Sequence, residues 1–547
     1  MKKLQPIRII GLLTALFAFS TCTKLDEKIY SAVSQTNFYN NRQEVMAAVL
    51  RPFTHARAWA TMQDRHGYWR LQELTADQQA WPQKGRHGYD GAQWIRQHYH
   101  EWTVTDRAIE EPWELIYWGI GFCNNTIRDL TDLDFTRIGM TEEEKASIIA
   151  ETKVIRAWHY LKLMDLYGNI PIVTTVGEPA NPPTRPRAEV FAFIEQELKD
   201  NVDLLPNLEP SLVGRVSKAA GYAMLAELYL NAEVWTGTPR WDDCIAACDK
   251  IINGECGGLN GPPALDTSIL APFSVTNHKS TENLFQIAYD YRASGDAPGY
   301  PAVFWHYRQR QIYNADRDGN NEWVVTPNAF DSYKDNDLRK QEWFLIGLQK
   351  KHPALRDPNN PADSIVLGTE EYANQPLVFV NNIRRNSEGE NGEGGMTRGE
   401  ENSGARFNKY RPGQVTDPDY LGNDFVVYRL TEIYFNKAEA LMRKNNGVAT
   451  QEAVDLINAC RKRAFTDADW PTEAYTTSTL TMEELLAERG REFIFEGKRR
   501  SDMIRFGTFT TASWWDHQPS NPDKALFPIP QKQLAINPAL KQNKGYD

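Results

Sequence analysis

Two stretches of the chain set flat aromatic rings among amides, carboxylates and guanidinium groups. In the first, Trp81, Tyr89 and Trp94 are interspersed with Gln83, Arg86, Asp90 and Gln93, while Gly85, Gly88 and Gly91 permit tight turns. In the second, Tyr300, Trp305 and Tyr307 are followed by Asn320, Asn321, Glu322 and Trp323. Rings stack on the C–H faces of a saccharide, and amides and charged groups pair with its hydroxyls. The mixture predicts non-covalent recognition of a polyhydroxylated ligand. The candidate contacts are Trp81, Arg86, Tyr89, Trp94, Tyr300, Trp305, Asn321 and Trp323, with Trp323 foremost. Both stretches are expected to form one shallow aromatic face. The competing reading is structural: Trp94 and Trp102 tie the first loop to the core, and Trp323 covers the scaffold under the second.

Other constellations are weaker. Asn314, Asp316, Asp318 and Asn320 place oxygens at alternating positions with Gly319 sixth, as at the start of a calcium loop. The twelfth position, where a bidentate acid belongs, is Val325. A solvated turn is the favoured reading, with calcium at Asp316 and Asp318 kept as an alternative and no other cofactor expected. His98 and His100 form an H-x-H pair near His87, but no third ligand has diagnostic zinc spacing. Trp94, Arg96, His98, His100 and Trp102 alternate as on a strand face. Cys244 and Cys248, one helical turn apart, read as buried thiols. No nucleophile elbow, zincin, P-loop or dinucleotide fingerprint occurs. The chain therefore reads as a binder and not an enzyme, although 72 acidic residues make some carboxylate pair inevitable.

The elements that must position these loops read as helices. Apolar spacing predicts helices over 150–167, 216–233, 425–443, 451–463 and 482–495, the last opened by Thr481 with Glu484 three residues on. The segments 227–233 (ELYLNAE) and 432–439 (EIYFNKAE) resemble each other and the first helix of a tetratricopeptide unit. By contrast, 257–424 is rich in Gly, Pro, Asn and Asp, and 390–401 is nearly devoid of apolar side chains. Long loops carried on a helical scaffold are where binding residues concentrate.

The N-terminus is a targeting segment. Lys2, Lys3 and Arg8 precede an apolar run over 9–19, too short to span a bilayer, and Cys22 follows. This resembles a bacterial lipoprotein signal over 1–21, with Cys22 lipidated, although Phe19 and Thr21 depart from the usual residues. An ordinary secretory signal cut near Ala18 or Ser20 is the alternative. With 61 basic against 72 acidic residues the net charge is −11, and no basic run appears, which argues against a nucleic-acid partner.

Several segments together resemble the SusD/RagB family. They are 156–160 (RAWHY), 167–171 (YGNIP), 428–441 (YRLTEIYFNKAEAL), 492–507 (EFIFEGKRRSDMIRFG), 526–530 (LFPIP), Asn537-Pro538 and 542–546 (QNKGY). They stand in the family's order across nearly the whole chain after the signal. The resemblance implies a mostly α fold, in which tetratricopeptide-like helical repeats support a loop-rich ligand-binding face. It implies a non-catalytic lipoprotein of the cell outer membrane, lipid-anchored and surface-exposed. Such a protein captures a glycan and delivers it to a SusC-like TonB-dependent β-barrel; a peptide ligand or a glycan-active enzyme are the alternatives. The expected organisation is a signal over 1–21, a helical region over 22–256 and a loop-bearing region over 257–547. Family members often carry an aromatic ligand contact after a "T-x-D" stretch, here Thr75-Ala76-Asp77, and a second in the region of 300–323. Phe493, Phe495 and Ile504 are expected in the core, and Arg499, Arg500 and Asp502 are expected to bridge helix ends rather than touch ligand.

Overall fold

The computed structural model describes residues 38–62, 66–177, 180–291, 298–385, 388–389 and 392–546. Cys22 and the lipoprotein signal lie outside the described residues.

The helix Glu142–Tyr167 lies at the centre of the N-terminal half. Thr141 and Glu144 close a reciprocal capping box, which starts the helix earlier than its apolar spacing suggests. Every residue from Val154 to Tyr167 is buried, polar ones included. Its charged side chains are paired: Arg156 meets Glu197, and Lys162 meets Glu227 at 2.6 Å. The helices Arg107–Thr131 and Arg187–Asn201 pack on either side. A second layer follows, with Lys218–Leu230 against Trp241–Ile252. Trp241–Ile252 also packs on Leu430–Lys444, which pairs in turn with Gln451–Arg461. Packed helix pairs thus run through both halves. One apolar cluster includes residues from Phe53 to Ile529, on both sides of the division expected at 256.

The two similar helical segments are anchored alike. Asn231 Oδ1 accepts from Arg505 at 3.0 Å, and its counterpart Asn436 accepts from Arg489 at 3.1 Å. Arg505 lies in the hallmark segment 492–507 and Arg489 in the helix Met482–Phe493 that runs into it, so the C-terminal helices clamp both repeats. The other hallmark residues are structural as expected. Phe493 and Phe495 are buried, and Ile504 packs against the main core. Arg499 holds Asp77 through two 2.7 Å bonds, Arg500 reaches Asp165 and the Ala525 carbonyl, and Asp502 pairs with Arg489 and Arg505.

Four further elements differ from their sequence reading. The predicted helix 216–233 breaks at Asn231, whose side chain turns back to the Glu227 carbonyl. Within 425–443, residues Phe425–Arg429 form a strand antiparallel to Asn283–Ile287, and the helix begins at Leu430. A short β-branched and aromatic run fits a buried strand or a helix equally well, and here the partner strand decides. The alternating 94–102 segment is not a strand, because Gln93–His98 is helical. The helix at 482 stops at Phe493, since Phe495 adopts φ +70° to enter the core.

Candidate functional site

A two-residue ladder joins the two aromatic stretches. Gln79–Ala80 pairs antiparallel with Val324–Val325, and Thr326 N–H donates to the Gln78 carbonyl. The 399 region adds a third chain, with Lys84 bridged to Gly399. The loops expected to cooperate are therefore adjacent.

Their largest rings, however, do not face solvent. Trp81, Trp94, Tyr300, Trp305 and Trp323 are all buried, with Trp323 at 0% exposure, so the expectation that they form an exposed aromatic face is corrected. Trp81 lies flat on Trp94, with centroids 4.3 Å apart and planes 9° apart. Trp323 packs on Trp69 at 4.8 Å and Phe304 at 5.4 Å. The Arg70 guanidinium sits 5.2 to 5.8 Å from the rings of Trp81, Trp94 and Trp323. Trp305 packs against Tyr313, and Tyr300 donates its hydroxyl to Asn423. Glycine makes this layering possible. At Gly88, φ is +78° and a Cβ would come within 3.1 Å of Trp81 Nε1, so the loop backbone lies directly on that ring. At Gly319 a Cβ would meet the Trp305 carbonyl oxygen at 2.2 Å. The rings gain more from desolvated packing than from waiting in water for a ligand.

What reaches the surface is a smaller set. Tyr89 is 52% exposed, and Arg86 and His87 are exposed beside it. Arg86 and His87 both meet Glu371, at 2.5 and 3.2 Å. Between these groups and the 320–322 turn lies a cavity of about 290 Å³, lined by Trp81, Lys84, His87, Asp90, Tyr307, Asn320, Asn321 and Glu322 among others. Asn321 is itself buried. Its amide donates to the Glu401 carbonyl and its Oδ1 accepts from Arg406, which fixes its side chain beneath the cavity. Lys84 Nζ donates to the Asn321 and Glu322 carbonyls. Burial, reinforced by the Arg406 charge, holds its ammonium well below the usual lysine range against the opposing pull of Glu322. Behind this wall His306 meets Glu401 at 3.0 Å, and burial pushes the imidazole down to about 4.

Arg86, Tyr89 and Asn321, named from sequence, lie on the two loops that the ladder between 79–80 and 324–325 joins, whereas the sequence reading gave no role to Lys84, Tyr307, Glu371 or Glu401. Tyr307 and Lys84 lay inside the two aromatic stretches and carried some signal. Glu371 and Glu401 arrive from the Gly- and Asn-rich region, where no periodicity marks them.

The other candidates are engaged elsewhere. Asp316 accepts from the Tyr291 and Tyr420 hydroxyls and from Arg317, while Asp318 pairs with Arg310. His98 bonds Asp516, and His100 bonds the Thr75 carbonyl and Ser520. The histidine cluster expected around positions 87–100 is therefore spread over separate partners. Cys244 and Cys248 are buried free thiols.

Comparison with known proteins now places the fold. The model of the SusD family matches residues 281–546, and a second family model, described as starch-binding associating with outer membrane, matches residues 25–230. The chain belongs to the SusD/RagB family. Among its SusD-family relatives is the starch-binding protein SusD of Bacteroides thetaiotaomicron, 26% identical over 483 residues, covering 81% of this chain and 80% of the relative. SusD-like protein P25 of Formosa agariphila is 23% identical over 496 residues, covering 81% of each. The solved structure of a laminarin binding SusD-like protein superimposes with a TM-score of 0.69 at 21% identity, over 93% of this chain and 100% of the other. NanU of B. fragilis gives 0.71 at 18% identity, over 95% and 100%. The mostly α SusD-like architecture expected from the sequence is the one observed.

Proposed function

We propose that this chain is a non-catalytic lipoprotein of the outer membrane that captures a glycan and delivers it to a SusC-like TonB-dependent β-barrel. The observation that carries the reading is the ladder between 79–80 and 324–325. It sets exposed Tyr89 beside a preformed polar cavity whose donors and acceptors, Lys84, Asp90, Asn320 and Glu322, suit hydroxyl groups. The names of relatives that bind starch and laminarin agree with it. The ligand-contacting set proposed here is Arg86, Tyr89 and Asn321 with the cavity wall.

Purified protein incubated with a panel of polysaccharides tests the class. Retention without product is expected; released oligosaccharides would make the chain an enzyme, and retention of peptides alone would make it a peptide binder. Tyr89→Ala should weaken retention by about 1–3 kcal/mol, as loss of a recognition hot spot does. Unchanged affinity would move the contact away from this face.

Anchoring rests on Cys22. No helix among the described residues is long and apolar enough to cross a membrane. A lipid at Cys22 would supply the attachment, since multiple acyl chains hold a protein stably. Cys22→Ala is expected to shift the protein from the outer-membrane fraction to the soluble one. If it stays with membranes when no barrel partner is expressed, the lipid is not the anchor.

A further inference from the structure

A second and larger cavity, of about 670 Å³, shares no lining residue with the one beside Trp81. It forms where the ladder between Asn283–Ile287 and Phe425–Arg429 ends, at the Ile287–Phe425 pair. One strand runs on into Tyr289 and Tyr291, and the other is preceded by Asp424; all three line the cavity. Asp424 is 2% exposed. Its Oδ1 accepts the Tyr289 N–H at 2.8 Å, and its own N–H donates to Asn277 Oδ1 at 2.9 Å. Its Oδ2 has no hydrogen-bond partner among the described residues, which a buried carboxylate rarely tolerates. Burial pushes this carboxyl up to about 7, against the opposing pull of the Tyr289 N–H and Arg57.

The rings of this wall are pinned. Tyr289 shares a 2.9 Å bond with the Thr61 hydroxyl and carries Arg57 over its face at 4.8 Å. Tyr291 donates to Asp316 at 2.8 Å, leaving its half-buried ring in a fixed orientation. Val213 and Val275 supply apolar surface. In its ionised form the Asp424 carboxylate only accepts, so the ligand complementary to that form donates. Asp290 and Asp419 in the same wall disfavour an anion, while Lys279 in the wall and Arg57 behind it offset them, so a cation is not called for.

We propose that this cavity is a second saccharide site, taking an uncharged sugar ring whose hydroxyls donate to Asp424 and whose C–H face lies on Tyr291. The site rests on the reading of the chain as a glycan binder and enlarges it, because two separated sites would hold one polysaccharide at two points. Two linked contacts raise avidity well above either alone when the chain can span them.

Calorimetric titration of the full, detergent-solubilised chain with maltohexaose and with laminarihexaose tests it. Two molar equivalents are expected for a bound sugar. Val275→Trp, which fills the cavity, should reduce this to one. Asp424→Asn preserves the shape and should weaken one of the two sites about tenfold; circular dichroism checks that both variants fold. Tyr89→Ala should affect only the other site. Binding of a single equivalent, lost in Tyr89→Ala and untouched by Val275→Trp and Asp424→Asn, overturns the second site alone. Absence of any binding by either sugar overturns both readings.

Discussion

Trp323→Ala should lower the unfolding free energy by about 3–5 kcal/mol, the usual cost of deleting a buried aromatic ring. The sequence marks Trp323 as the foremost candidate contact on an exposed face, a position at which truncation weakens binding and leaves the fold alone. The structure reverses the order of effects. The ring touches Trp69, Phe304 and Trp81 and lies 5.2 Å from the Arg70 guanidinium. Removing it opens a void at the junction of helix Tyr68–Leu74, the first loop and the second loop, none of which can collapse without moving the others. A domain is stabilised by only about 5–15 kcal/mol, so the loss is large. The measurement is a urea unfolding midpoint, with Tyr89→Ala as the surface control. Tyr89 is half exposed, and its truncation should change stability by no more than about 0.5 kcal/mol. Equal midpoints for Trp323→Ala and wild type would mean that the ring is not core.

That reversal marks what the sequence disclosed and what it could not. The helices at 142–167, 218–230, 430–444, 451–461 and 482–493 were legible because apolar side chains recur at helical spacing and caps such as Thr481 punctuate them. The strand Phe425–Arg429 was not, because its partner, Asn283–Ile287, is about 140 residues away and no local periodicity names it. The composition of the two loops correctly pointed to one region. It could not say which rings lie beneath and which lie above, since a Trp that packs and a Trp that stacks on a ligand have the same type and the same neighbours in sequence. The deciding contacts are long-range: Trp81 on Trp94, Gly88 over Trp81, Arg406 on Asn321. Glu371, which holds Arg86 and His87, belongs to a region whose only sequence mark is loop composition. Arg499 and Arg500 were read as structural, but the carboxylates that hold them, Asp77 and Asp165, come from two distant segments that the sequence does not link to them.

Arg429→Ala is expected to cost about 3–5 kcal/mol, because it strips the common partner from buried acids. Arg429 ends the strand Phe425–Arg429 and immediately precedes the helix Leu430–Lys444, and it is 1% exposed. Its guanidinium meets Glu282 at 2.7 Å, Glu492 at 3.0 Å and Glu496 at 2.8 Å. Lys409 also pairs with Glu496, and Arg463 with Glu282, so the acids share cations rather than owning one each. Burial by itself would raise the Glu282 carboxyl, yet Arg463 and Arg429 hold it down at about 2. Without Arg429 the three acids keep Lys409, Arg463 and, on Glu492, Arg339, which is itself shared with Asp337 and Glu488, so negative charge in a dry site is left under-compensated. Arg429→Lys should recover little, since one ammonium cannot satisfy three carboxylates held around a planar fork. The paired change Arg429→Leu with Glu496→Leu should cost less than the sum of its two single changes, because it removes charge from both sides. Urea unfolding of the five variants (Arg429→Ala, Arg429→Lys, Arg429→Leu, Glu496→Leu and the double Leu variant) reads this directly. If Arg429→Ala and Arg429→Lys both unfold like wild type, the network is dispensable. If the double variant equals the sum of the singles, Arg429 and Glu496 act independently, and the strand-to-helix junction is held by packing rather than by the shared charges.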